Sequence, residues 1–98
     1  MKEDRKADLL EEALSSKGRV RVLRVLMEAG ELNASEIARR ANLNYSTALS
    51  HLLALKRVGL VEERKYGRIR IFKIADNGRV EYLRELFKAL LNALKAGT

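Results

Sequence analysis

Cysteine, proline and tryptophan are absent from the 98 residues, and histidine occurs once, at His51. Without cysteine there is no disulfide framework, no thiolate-bound zinc and no thiol redox sensor. One imidazole is too few for most metal sites. Ser46 and Ser50 near His51 do not make a nucleophile–base pair without a third group to orient the base. The pattern also lacks a glycine-rich phosphate loop and paired carboxylates in an evident pocket. No apolar run approaches the roughly 18 residues that cross a bilayer. The charged start, Met1 to Lys6 followed by Ala7–Asp8, has no signal-peptide core. The expectation is a cytoplasmic protein with no catalytic role, no cofactor and no metal. Glutamine is missing too, and abundant Arg, Lys and Glu lean towards a thermophilic source.

What is present is a hydrophobic fraction of 47%, enough for one modest core in a single domain over residues 1–98. The net charge is +7. Such an excess on a small chain favours a polyanionic partner, because each neutralised phosphate releases counterions. The charge is also uneven. Residues 1–14 carry three basic and five acidic side chains, whereas Asn44 to Ala75 carry seven basic ones against Glu62 and Glu63. Opposite ends of opposite sign suit docking in one orientation.

Periodicity supplies the elements. Leu9, Leu10, Ala13 and Leu14 recur at helical spacing and predict a helix from about Lys2 to Leu14. Ser16 is placed to cap a second helix that runs to about Ala29 and is closed by Gly30. Asn33-Ala-Ser-Glu36 has capping-box spacing and predicts a short helix, Ala34 to Ala41. Asn42 suits the left-handed residue that ends it. Asn44 caps the next helix, Tyr45 to Val58, which Gly59 ends. Leu60–Tyr66 and Arg68–Ile74 read as strands hinged at Gly67. A last helix from Arg79 to about Ala96 carries Val80, Leu83, Phe87, Leu90 and Leu94 at alternating spacings of three and four, a heptad seam widened by Leu86 and Leu91. The expected fold is mainly α with a small β-hairpin, in the order ααααββα.

Two helices joined by a three-residue turn and followed at once by a basic hairpin suit duplex DNA. The major groove admits one α-helix, and a second helix must brace it. Ile37, Ala38, Leu43, Ala48, Leu52 and Leu55 are spaced to form that brace. The outward face would then present Tyr45, Ser46, Leu49 and Ser50, with Thr47 in the first turn and Lys56 and Arg57 further on. Leu49 either meets a thymine methyl or packs inward, and Leu53 reads as core. Arg64, Lys65 and Arg68 flank Gly67 at the hairpin tip, where phosphate contact is expected. Arg70 and Lys73 lie nearer its base, and Arg70 is counted with the DNA-binding set.

The stretch Ser16-Lys17-Gly18-Arg19-Val20-Arg21-Val22-Leu23-Arg24-Val25-Leu26 resembles the first core helix of ArsR-like winged helix-turn-helix regulators. Thr47-Ala48-Leu49-Ser50-His51-Leu52-Leu53-Ala54-Leu55, running into Gly59-Leu60-Val61, does so too. Gly67-Arg68 and Phe72-Lys73-Ile74 resemble that family's wing. Asn44-Tyr45-Ser46-Thr47 with His51-Leu52 is similar to small archaeal members. The resemblance covers roughly residues 16–74. It implies a homodimer built from the end helices (residues 1–14 and 79–98), with recognition helices in successive major grooves. Leu9, Leu10, Leu14, Val80, Leu83, Phe87, Leu90, Leu91 and Leu94 are the expected interface, since a lone helix with that seam needs a partner; the other reading folds the seam back onto Leu9, Leu10 and Leu14 of its own chain, and both can hold together. The family's metal-sensing members use cysteines, or histidines and carboxylates on the last helix; this chain has no cysteine, and its only imidazole is His51. His51 is expected to pack or hydrogen-bond within the helix-turn-helix.

The leading expectation is therefore a homodimeric, sequence-specific double-stranded DNA-binding regulator, a repressor, associated with the nucleoid. Two other readings stay open. An architectural or chromatin protein would grip phosphates and leave bases unread. A protein-interaction winged helix would survive charge reversal at Arg64, Lys65 and Arg68.

Overall fold

The computed structural model describes residues 11, 14–76 and 78–96, with the side chains of 78, 79, 91, 94 and 96 left aside. In chain order the elements are α1 (Lys17–Ala29), β1 (Glu31–Asn33), α2 (Ala34–Ala41), α3 (Tyr45–Arg57), β2 (Val61–Tyr66), β3 (Ile69–Ile74) and α4 (Gly78–Ala96). Most of the expected helix from Lys2 to Leu14, with Leu9 and Leu10, lies outside the described residues.

Each core helix begins on a side-chain cap. Ser16, Asn33 and Asn44 accept from the amides of Arg19, Glu36 and Thr47 at 3.1, 2.8 and 2.8 Å, each satisfying a donor that the first turn leaves unpaired. The capping box at α2 is only half formed. The Glu36 carboxylate turns away from the cap to bind Arg39 and Arg40, which hold it well below the usual carboxylate range, at about 2. Two helices end in the same six-residue manner. Asn42, at φ +57, donates to Arg39, and Leu43 to Ala38. Gly59, at φ +81, donates to Lys56, and Leu60 to Leu55. Both are Schellman closures, which need a left-handed residue that glycine or asparagine supplies most easily. Leu60 is thereby part of the cap, and β2 starts one residue later than expected.

The sheet holds one strand that was not expected. Its order is β1-β3-β2, all antiparallel, with Leu32 opposite Phe72 and Glu63 opposite Phe72 from the other side. The register of β2 on β3 runs unbroken from Val61↔Ile74 to Tyr66↔Ile69. The change of apolar phase along Ile69, Ile71, Phe72 and Ile74 is thus not a bulge. Phe72 and Ile74 face the core at the base of the hairpin. Nearer the tip the hairpin has left the core, and Arg70 occupies the inner face instead. Gly67, at φ +61, takes the first place of a two-residue turn, a position that favours glycine.

Phe72 is fully buried among Val22, Leu23 and Leu26 of α1, Ile37 of α2, and Leu52 and Leu55 of α3. Burying each such side chain contributes roughly 1.5–3 kcal/mol. Ala38 and Ala48, both buried, give the small surfaces a close helix crossing needs. Val80, Leu83 and Phe87, assigned from their spacing to a twofold interface, are buried in the chain's own core. Leu90 and Leu14 stay exposed, at 47% and 42%. Leu86 is half-buried and Tyr82 exposed, so Tyr82, Leu86 and Leu90 form an outward stripe at i, i+4 and i+8. The side chains of Leu91 and Leu94 lie outside those described.

Candidate nucleic-acid interface

Helix α3 lies with its inner face on α2 and the sheet, buried at Ala48, Leu52, Ala54 and Leu55. Its outward residues are Tyr45, Ser46, Ser50, Lys56 and Arg57. Thr47 is half-buried. Leu49 and Leu53 are partly buried and pack against the core, which resolves the apolar outer face largely in favour of packing. The cap residue has a second task. Asn44 Oδ1 accepts from the Ser46 hydroxyl at 3.0 Å as well as from the Thr47 amide, so one oxygen orders the whole first turn.

The basic residues split into two groups that the sequence did not distinguish. Arg57, Arg64, Lys65 and Arg68 are exposed, and among the described residues their side chains form no ion pair or hydrogen bond. Lys56, Arg70 and Lys73 are engaged. Lys73 lies 3.8 Å from Glu62, while Lys56 and Arg70 both bind Glu63. The Glu63 side chain is only 2% exposed. Arg70, and then Lys56, hold its carboxyl at about 2 against the opposing cost of burial. In return Glu63 raises Arg70 above its ordinary value.

His51 sits on the opposite flank of α3 and meets α1. Arg19 Nε donates to its Nδ1 at 3.2 Å, so the neutral ring carries its proton on Nε2. Burial, and then the Arg19 charge, lower its pKa below the ordinary value. Gly18 lies against the same ring, with space for no more than a hydrogen beside Nε2. Among the described residues no cluster of three or more metal-ligating side chains occurs. No described helix is long and apolar enough to cross a membrane.

Sequence reasoning missed Asn44's double role, the Arg19–His51 contact and Glu63. A carboxylate inside a basic hairpin was the available signal for Glu63.

The first turn of α3 and the unpaired cations of the hairpin thus form an exposed basic surface on a rigid helix pair. Residues 16–63 match the family described as bacterial regulatory protein, arsR family. Among solved structures, HlyU from Vibrio cholerae is 30% identical, with 91% of this chain and 95% of HlyU covered and a TM-score of 0.75. Mb0332 from Mycobacterium bovis, described as a homodimeric winged helix-turn-helix DNA-binding domain and a possible ArsR-family regulator, is 33% identical; 97% of this chain and 92% of that one align with a TM-score of 0.69. The repressor PagR of Bacillus anthracis, at 23% identity, 89% and 97% coverage and a TM-score of 0.72, shares the fold. A comparison with curated proteins gave no match. The chain belongs to the ArsR family of winged helix-turn-helix DNA-binding transcription regulators.

Proposed function

We propose that the protein is a sequence-specific regulator that binds double-stranded DNA as a homodimer and represses by occupying promoters in the nucleoid, without catalysis or a metal. The observation that carries this reading is the pairing of an ordered, exposed α3 N-terminus with unpaired cations on the adjacent hairpin. Tyr45, Ser46 and Ser50 would meet base edges or phosphates, with Thr47 ordering the turn from its half-buried position. Leu49 can offer only its exposed edge. Arg57, Arg64, Lys65 and Arg68 would hold phosphates. Residues 1–98 would act as one domain. The twofold interface would use Leu14 and Leu90 with the Tyr82–Leu86 stripe, since Val80, Leu83 and Phe87 are occupied within the chain.

Selection of bound sites from random duplexes tests it. A palindrome with half-sites about one helical turn, 10–10.5 base pairs, apart supports the reading. Binding of every sequence alike refutes it and favours an architectural role. That second reading has one observation of its own: the exposed face of α3 has no asparagine or glutamine to read adenine, and its arginine lies in the last turn.

A further inference from the structure

A carboxylate within a phosphate-binding face repels the polyanion its neighbours attract. Glu63 stands in that place, and the structure shows how it is kept from doing harm. The register puts it on the inner face of the hairpin, opposite Phe72 and diagonal to Arg70. Arg70 donates to it from Nε at 2.5 Å and from Nη2 at 3.3 Å. Lys56, in the last turn of α3, donates from Nζ at 2.9 Å. One buried carboxylate therefore ties the recognition helix to the wing.

Its position along the hairpin matters. Phe72 and Glu63 are opposite each other, and beyond them Arg64, Lys65, Tyr66, Gly67, Arg68 and Ile69 are all exposed. A two-stranded ribbon alone is marginally stable in water. The Glu63 bonds are the last described ties before the hairpin leaves the core.

We propose that Glu63 is a positioning residue for DNA recognition, fixing the wing relative to α3 and withdrawing Lys56 and Arg70 from the phosphate-binding set. This rests on the DNA-binding reading above. The phosphate contacts then fall to Arg57, Arg64, Lys65 and Arg68.

The first test needs no DNA. Amide exchange between Lys65 and Arg70 should quicken roughly tenfold or more in E63Q, because Gln forms weaker, uncharged bonds to Arg70 and Lys56. Unchanged exchange overturns the tie. The second test reads the salt dependence of binding to a fixed duplex. R64Q should lower the slope of log K on log salt by about 0.9 for each phosphate it no longer neutralises, whereas K56Q should leave it unchanged. E63Q should steepen it by up to about 0.9 for each cation that then reaches a phosphate. A K56Q slope that falls as far as that of R64Q overturns the withdrawal of Lys56. If wild type binds no duplex, the DNA-binding reading itself fails, while the exchange result still decides whether Glu63 holds the hairpin.

Discussion

Replacing Gly18 by alanine sets two well-measured effects against each other. In a helix alanine is favoured over glycine by about 0.8–1.0 kcal/mol in interior positions, and Gly18 lies in the first turn of α1. A Cβ built there would stand 2.9 Å from His51 Nε2, 3.4 Å from Cδ2 and 3.5 Å from the Leu43 side chain. The first distance is closer than packed carbon tolerates, so the ring must move. Arg19 resists the movement, since its Nε donates to His51 Nδ1. Overpacking of this kind costs about 1–3 kcal/mol. The net expectation for G18A is destabilisation by about 1 kcal/mol, which for this length lowers Tm by roughly 4–8 °C. In an H51A background the clash is gone and only the helical preference remains, so the same substitution should stabilise by about 0.5–1 kcal/mol. Urea unfolding of wild type, G18A, H51A and the double variant at one protein concentration completes the cycle. Equal effects of G18A in the two backgrounds, or stabilisation in both, would refute the close approach of α1 to α3.

His51 is the chain's only histidine, and its pKa is lowered by burial and by Arg19. The unfolded chain therefore takes up the proton first, so its contribution to stability is complete above about pH 6.5 and is lost as pH falls from there through the native value; H51Q should flatten unfolding free energy in that window, and a wild-type curve that rises on acidification would contradict the assignment. At lower pH, protonation of Glu63, whose native pKa is about 2, should cost further stability between the ordinary carboxylate range and pH 2, and E63Q should remove that part of the acid transition. N44A removes the oxygen that orders the first turn of α3 and should cost about 0.5–2 kcal/mol in urea unfolding, most typically near 1; no loss would mean the cap is dispensable. Charge reversal at Arg64, Lys65 and Arg68 together should change the unfolding free energy by no more than about 0.5 kcal/mol at each exposed site yet abolish measurable duplex binding, whereas retained binding would favour the protein-interaction reading.

Some of this molecule is written locally and some is not. Asn33, Asn42 and Asn44 were legible because a cap joins a residue to backbone amides or carbonyls three or four positions away. The same holds for the helix boundaries and for Gly67. β1 was not legible, because three residues carry no alternation and its reason for existing is the edge of β3, forty residues on. Of the heptad seam of α4, Val80, Leu83 and Phe87 are covered and Leu90 is exposed. Spacing says that Val80, Leu83 and Phe87 need cover, and says nothing about whether a second chain or the same one supplies it. Glu63 was counted only as charge, because its partners lie seven residues away on either side, on a helix and on another strand. Leu49 was ambiguous for a similar reason: a leucine beside a groove-facing turn is read by what packs behind it.

The most direct test is a competition at physiological salt between a selected duplex and random DNA for the protein. A specific regulator should prefer its site by at least about a thousandfold. A ratio near one, with tight binding to both, would contradict base reading by α3 and leave a phosphate-gripping architectural protein in its place.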